Sequence, residues 1–145
     1  MHKRLSKLAS LSCEEWQTLL LAMMLLPLIA LSLHIIGFKK TRQLLQKNVS
    51  SVQHSALPEK QQLIIAQCVA NMVDIAARHG LYRTNCLKIS FATWWLLAHK
   101  GIATELKIGV DTDSRNFNAH AWVEYKGDIL NDKTNVEERF SAFIL

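Results

Sequence analysis

The sequence predicts an α+β fold in which a helical N-terminal part precedes a central helix packed on a small antiparallel sheet. Up to Lys100, apolar residues recur at spacings of three and four or form long runs, as they do in helices. After Gly101 the pattern alternates with a period of two, as in strands. A chain of 145 residues with 50% hydrophobic and 20% charged residues has globular composition and room for a modest core.

Residues 12–47 are predicted to be helical. Ser12 precedes Glu14 and Glu15, which is typical of a helix start. A serine hydroxyl can accept a hydrogen bond from a free amide of the first turn, and carboxylates are favourable at the positive helix end. Within this region, residues 19–38 form an almost wholly apolar run that basic residues follow.

The run 19–38 also meets the length criterion for a membrane span. Pro27 and His34 interrupt it, and basic residues lie on both sides, so the charge rule gives no orientation. No small-x-small cleavage site closes the run, which argues against a signal peptide. We expect a helix pair that is buried or covered by a partner, with membrane contact through residues 19–38 as the alternative.

A polar segment, residues 48–60, contains Pro58 and is predicted to be a loop. It divides the chain into an apolar helical N-terminal region, residues 1–58, and a core, residues 59–145. The core begins with a predicted helix at 59–79, whose apolar residues lie three and four apart on one face.

The rest of the core supplies the central helix and the sheet. The helix at 86–99 is apolar nearly all round, as expected of a buried central helix. Strands are predicted at 103–110 and 119–125, separated by polar turn residues at 111–118. A turn at 126–128 leads into a third short strand, so the second and third strands should be antiparallel neighbours.

Three residues in this region carry chemistry. Cys86 begins the central helix, His120 lies in the second strand, and Asp132 follows the third. A thiol, an imidazole and a carboxylate are what a cysteine nucleophile, its base and the group orienting the base require. A helix N-terminus stabilises a thiolate, and its amide groups can hold an oxyanion. The pattern indicates a cysteine hydrolase or an acyl transferase.

The predicted hairpin brings two of these residues together. With a three-residue turn, Tyr125 pairs with Ile129, Trp122 opposes Asp132, and His120 becomes a diagonal neighbour of Asp132 on the same face. A slip of one residue would reverse the faces. Taken singly, each of the three candidates has a structural interpretation, as a buried thiol, a core histidine or a turn carboxylate.

Other classes of site have little support in the sequence. The three cysteines are an odd number without a CxxC pair, which argues against a disulfide framework or a structural zinc site. The histidines show no metal-ligand spacing, and neither GxxxxGK[ST] nor GxGxxG occurs, so no metal or cofactor is expected. The net charge is +5, but no basic patch is interleaved with aromatics, so nucleic acid is not an expected partner. Free thiols suit the cytoplasm.

Four segments occur in an order that resembles a known family: NCLKISFATWWLLAHKGI, ATELKIGV, FNAHAWVEYKG and ILND. They are similar to the protease half of the lasso-peptide biosynthesis B protein, over about residues 80–133. That family belongs to the transglutaminase-like, papain-related cysteine hydrolases, and the resemblance implies a core of that fold. Cys86 matches the nucleophile, His120 the general base and acid, and Asp132 the orienting carboxylate.

The resemblance also implies a function and partners. Members of the family are cysteine proteases that remove the leader from a ribosomally made precursor peptide. An ATP-dependent, asparagine-synthetase-like cyclase then acts on the freed amine. Because the chain begins with apolar helices instead of a strand-rich domain, it is similar to the stand-alone form, which needs a separate leader-recognition protein.

Two alternatives stay open. The same three residues would serve a transglutaminase-like acyl transferase, in which an amine replaces water. In a non-catalytic, membrane-associated scaffold protein, the run 19–38 would be the important part of the chain.

Overall fold

The computed structural model describes residues 11–50, 53–80, 84–111, 119–132 and 140–144. Within these ranges the helices are α1 (Cys13–Ile35), α2 (Gly37–Val49), α3 (Glu59–His79) and α4 (Cys86–His99). The strands are β1 (Glu105–Asp111), β2 (Ala119–Tyr125), β3 (Asp128–Ile129) and β4 (Phe140–Ile144). The predicted α+β class is confirmed, and α3, α4 and β2 have the predicted bounds. Apart from Asp111, the polar turn predicted at 111–118 lies outside the described residues.

The predicted helical stretch 12–47 forms two helices. Ser12 and Glu15 form a capping box at the start of α1, in which each side chain bonds the backbone amide of the other. The helix continues through Pro27. Gly37, with φ +77°, begins α2, and this left-handed conformation suits a residue without Cβ.

Helices α1, α3 and α4 share one apolar core with the inner face of the sheet. Its fully buried members include Ala22, Ile29, Val69, Val73, Phe91 and Leu97. From the sheet, Tyr125 joins this core, and its hydroxyl donates to Gln62 Oε1 of α3 at 3.2 Å. The core therefore contains residues from both predicted regions, 1–58 and 59–145, and the boundary between them stays a prediction.

The sheet is antiparallel, with strand order β3-β2-β1-β4. The edge strand β4 pairs with β1 and was not predicted. In the β1–β2 ladder Gly109 stands opposite His120, and Lys107 opposite Trp122. Alternation along β2 therefore turns His120 and Trp122 away from the side chain of Tyr125, which reaches the helical core.

The turn between β2 and β3 corrects the predicted register. Lys126 and Gly127 both have positive φ, +50° and +92°, as the central residues of a two-residue type I′ turn require. Tyr125 consequently pairs with Asp128, and Glu124 with Ile129. The predicted pairing of Tyr125 with Ile129 is wrong by one residue.

Candidate active site

Cys86 is the first residue of α4 and is half-buried as a free thiol. The preceding Asn85 is extended, with φ −120°, and caps the helix: its Oδ1 accepts a hydrogen bond from the Lys88 amide at 3.2 Å. Amide groups of the first turn have no partner within a helix, so they can stabilise negative charge on a nearby sulfur or oxygen. The sequence analysis did not predict this cap, although asparagine is among the residues preferred at that position.

Ser90, in the second turn of α4, joins this helix to β2. Its buried hydroxyl donates to the carbonyl oxygen of Ala121 at 2.9 Å. Ser90 lies four residues after Cys86, and residues at this spacing share one helix face. Since Ala121 follows His120 in β2, this bond joins α4, one turn beyond Cys86, to the strand at the residue next to the histidine.

Asn131, which follows β3, also bonds the Ser90 hydroxyl. Its Nδ2 donates to Ser90 Oγ at 2.8 Å, and its Oδ1 accepts from the Val123 amide at 2.8 Å. The amide side chain thus occupies the place of a backbone carbonyl in the β2–β3 ladder, and the chain leaves the ladder here. This role was missed by the sequence analysis, which used Asn131 only as part of the family motif.

His120 and Asp132 contact each other through Nε2 and Oδ2. Both side chains are 24% exposed, so the pair is partly open to solvent and to a substrate. A carboxylate on one ring nitrogen fixes the orientation of the imidazole and leaves Nδ1 for proton transfer. The predicted contact is present, although Trp122 does not oppose Asp132 as expected.

Two aromatic rings flank the histidine. The ring of Phe140, in β4, stacks on His120 at a centroid distance of 5.1 Å, and the Trp122 ring lies 6.3 Å away. A Cβ at Gly109 would come within 2.8 Å of Phe140 Cβ and 3.0 Å of the Trp122 ring. The absence of a side chain at Gly109 therefore lets both rings approach the histidine. The apolar ending FSAFIL was the signal for β4 that sequence reasoning missed.

Glu124 is buried on the same face of β2, two residues beyond Trp122. Its Oε1 accepts from Trp122 Nε1 at 2.6 Å, and its Oε2 pairs with Lys107 Nζ at 2.5 Å. A buried carboxylate is stable only with such partners. The interaction fixes the indole that lies beside His120, and the pattern of alternation alone did not reveal it.

Other polar features of the described residues lie apart from this site. No group of three or more histidine, cysteine, aspartate or glutamate side chains within the described ranges suits a metal ion. Cys68 is half-buried on α3, where burial and a hydrogen bond with Glu15 raise the pKa of its thiol. A cavity of about 300 Å³ lies beside Ala98 and Thr104, at the end of α4 opposite Cys86.

Two comparisons relate the chain to known proteins. The chain is 30% identical to the microcin J25-processing protein McjB of Escherichia coli over 79 residues, which are 54% of this chain and 36% of that protein. The chain therefore matches only a little over a third of that relative's length. No solved structure matches the chain significantly.

The second match covers most of the chain. The transglutaminase-like superfamily matches residues 25–144, a range that runs from α1 to the end of β4. Both matches support the resemblance to a lasso-peptide B protein that the sequence motifs indicate. By the extent of the superfamily match, the chain belongs to the transglutaminase-like superfamily.

Proposed function

We propose that this protein is a cysteine protease that removes the leader from the precursor of a lasso peptide. The contact between His120 and Asp132 carries the proposal, because it holds an imidazole in the arrangement a general base requires. Cys86 begins the helix that Ser90 joins to β2 beside this imidazole. In this proposal Cys86 is the nucleophile, His120 the general base and acid, and Asp132 the orienting carboxylate.

The reaction would proceed through an acyl-enzyme. His120 accepts the thiol proton, and the sulfur of Cys86 attacks the scissile carbonyl carbon to form a tetrahedral intermediate. The carbon–nitrogen bond breaks as His120 gives its proton to the departing amine, which is the new N-terminus of the core peptide. Water, deprotonated by His120, then hydrolyses the thioester and releases the leader. Free amides at the start of α4 would stabilise the oxyanion.

The substrate class rests on the relative and on the family. The similarity to a microcin J25-processing protein supports a role in the processing of a ribosomally made peptide. The family implies a precursor peptide, an asparagine-synthetase-like cyclase, and a leader-recognition domain or protein as partners. The free cysteines are consistent with action in the cytoplasm.

The test is incubation with the precursor peptide, with and without the recognition protein, followed by mass spectrometry. We expect two products whose masses sum to that of the precursor plus one water. Cys86→Ala should abolish cleavage while retaining the fold, and Cys13→Ala, at the exposed start of α1, should leave it intact. Unchanged cleavage by Cys86→Ala would overturn the proposal.

A second candidate is acyl transfer to an amine, which the superfamily itself favours. The acyl-enzyme is common to both reactions, and they differ only in whether water or an amine takes the acyl group. Adding a primary alkylamine to the same incubation separates them. A leader that carries the mass of the amine would indicate a transferase, and a leader with a free carboxylate would indicate a protease.

A further inference from the structure

One face of α1 is apolar, long and uncovered. The helix buries Leu19, Ala22, Leu26 and Ile29 in the core. On the opposite side it leaves a row of side chains that are 55–68% exposed; this α1 outer face consists of Leu20, Met24, Leu28, Leu31 and Ile35.

These spacings of three and four keep the outer face continuous over the length of the helix. A helix of 23 residues is about 35 Å long, so the face is much larger than the isolated apolar residues common on protein surfaces.

The helix that continues from this face is basic. The sequence of α2, GFKKTRQLLQKNV, contains four basic residues and no acidic one. Lys39, Lys40 and Lys47 are exposed, and α2 begins two residues after Ile35, where the outer face ends. An apolar strip that adjoins a cluster of lysines is the pattern of proteins that rest on anionic lipid.

We propose that this protein is a peripheral membrane protein that lays the α1 outer face on an anionic lipid surface. The apolar side chains enter the boundary between headgroups and acyl chains, and the lysines of α2 contact the phosphates of the headgroups. This proposal does not depend on the proteolytic activity proposed above.

A membrane-spanning helix fits the structure less well. The most apolar window of α1 has a mean hydropathy of 2.2, which meets the criterion for a span, but 33% of it is buried inside the protein. To be surrounded by lipid, the helix would have to withdraw Ala22, Leu26 and Ile29 from their contacts with α3 and α4. Contact along the outer face alone leaves the core intact.

A dimer formed through the α1 outer face fits the charges of α1 and α2 less well than an anionic lipid surface does. Across α1 and α2 the acidic residues are Glu14 and Glu15, both at the end of α1 remote from α2. Glu15 already accepts hydrogen bonds from Ser12 and Cys68. Two copies that met through α1 would bring the basic α2 helices little negative charge, whereas anionic lipid provides it along the whole surface.

Co-sedimentation of the full chain with vesicles tests the proposal. We expect binding to phosphatidylcholine vesicles that contain phosphatidylglycerol, much weaker binding to phosphatidylcholine alone, and a decrease as salt is raised. The double variant Lys39→Gln/Lys40→Gln should bind about tenfold or more weakly. Its control, Lys60→Gln/Lys100→Gln, removes the same charge at exposed sites in α3 and just after α4, and it should bind as the wild type does.

The apolar contribution has its own pair of variants. Met24→Gln/Leu28→Gln changes the centre of the outer face and should abolish sedimentation with vesicles. Leu57→Gln/Ile64→Gln changes two exposed apolar side chains outside α1 and should retain it. Circular dichroism should show that both double variants fold, because all four replaced side chains are exposed.

Four results would overturn the proposal. The first is that the wild type stays in the supernatant with both kinds of vesicle. The second is that each control variant loses as much binding as the variant it is matched with. Resistance of bound protein to an alkaline carbonate wash would indicate a span. A dimer in analytical ultracentrifugation that Met24→Gln/Leu28→Gln dissociates, without vesicle binding, would assign the face to a second copy.

Discussion

Asp132 reaches His120 because the chain abandons the strand ladder just before it. In the observed register, a continued ladder would place Asp132 opposite Ala121, on the other face of the sheet from His120. Instead, Leu130 makes the last backbone bond, to the Val123 carbonyl at 3.0 Å, and the side chain of Asn131 takes the next position. The contact between His120 and Asp132 therefore depends on the side chain of Asn131, whose hydrogen bonds go to Val123 and Ser90.

Replacing Asn131 with alanine should weaken the site and the fold together. The Val123 amide loses its acceptor and Ser90 loses a donor, which should lower the free energy of unfolding by about 1–3 kcal/mol. Precursor cleavage should fall as well, because Asp132 is no longer held beside His120. Urea unfolding and the cleavage rate measure the two effects.

Asn48→Ala is the control for this variant. Asn48 is exposed on α2, so its loss should change the free energy of unfolding by less than about 0.5 kcal/mol and leave the cleavage rate as it was. If Asn131→Ala behaved like Asn48→Ala in both measurements, the bridge would have no role in placing Asp132.

Asp132→Asn should show whether the carboxylate acts on catalysis through His120 or only stabilises the fold. The amide is nearly the same size as the carboxylate but cannot stabilise an imidazolium, so kcat for the precursor should fall by about 10²–10⁴-fold. Because the side chain is 24% exposed, the unfolding transition should move little. A variant that kept wild-type kcat would exclude Asp132 from the role proposed for it.

The sequence predicted the helices and strands better than the turn and register that join β2 to β3. The helix α3 follows from the periodicity of its apolar residues and α4 from its nearly continuous apolar run, because these signals are local. The contact between His120 and Asp132 was predicted through a three-residue turn, whereas the Lys126-Gly127 turn has two residues. The prediction was right about the contact because an unexpected departure from the ladder compensated for the error in register.

What could not be predicted depends on contacts between residues remote in the chain. Phe140 reaches His120 only because β4 returns to pair with β1. Glu124 falls on a face that alternation marks as polar, yet the Lys107 partner across the ladder allows its burial. Similarly, one face of α1 is buried and the other exposed, a difference that a uniformly apolar sequence does not show.

Gly109→Ala should disturb the histidine through its aromatic neighbours. The new methyl group would lie 2.8 Å from Phe140 Cβ, which cannot move without its backbone, so we expect a loss of about 1–3 kcal/mol in unfolding free energy. The near-ultraviolet circular dichroism should change as the Trp122 ring shifts, and precursor cleavage should slow.

Gly37→Ala provides the comparison. Gly37, unlike Gly109, has positive φ, so alanine strains the backbone there, but nothing lies within 4 Å of the added Cβ. It should therefore lose stability without any change in near-ultraviolet signal or cleavage rate. Equal effects of the two variants on cleavage would show that the rings beside His120 do not matter for its chemistry.

Glu124→Gln should be strongly destabilising. The substitution removes the negative charge that pairs with the largely buried Lys107 ammonium, 19% exposed, and removal of one member of a buried pair costs about 3–5 kcal/mol. Guanidinium unfolding measures the loss. Glu59→Gln breaks the exposed pair with Lys126 and should leave the unfolding midpoint close to that of the wild type. A midpoint for Glu124→Gln equal to that of Glu59→Gln would contradict the importance of the buried pair.

Alkylation by iodoacetamide should distinguish the three thiols and decide whether Cys86 is chemically active. Cys13 and Cys86 both begin a helix, but Cys13 is exposed, whereas Cys86 is half-buried and so less accessible. Accessibility alone would make Cys13 the faster, whereas a nearby imidazole base would make Cys86 the faster. We expect Cys86 to react first and His120→Ala to slow it below Cys13.

Cys68 is the internal reference for these rates, followed residue by residue with mass spectrometry of the digested protein. Burial and the carboxylate of Glu15 raise the pKa of the Cys68 thiol, so less thiolate is present at neutral pH and its alkylation should become appreciable only as the pH rises. If Cys86 reacted as slowly as Cys68 at neutral pH, and His120→Ala changed nothing, the site would lack an activated nucleophile and the scaffold interpretation would replace the protease.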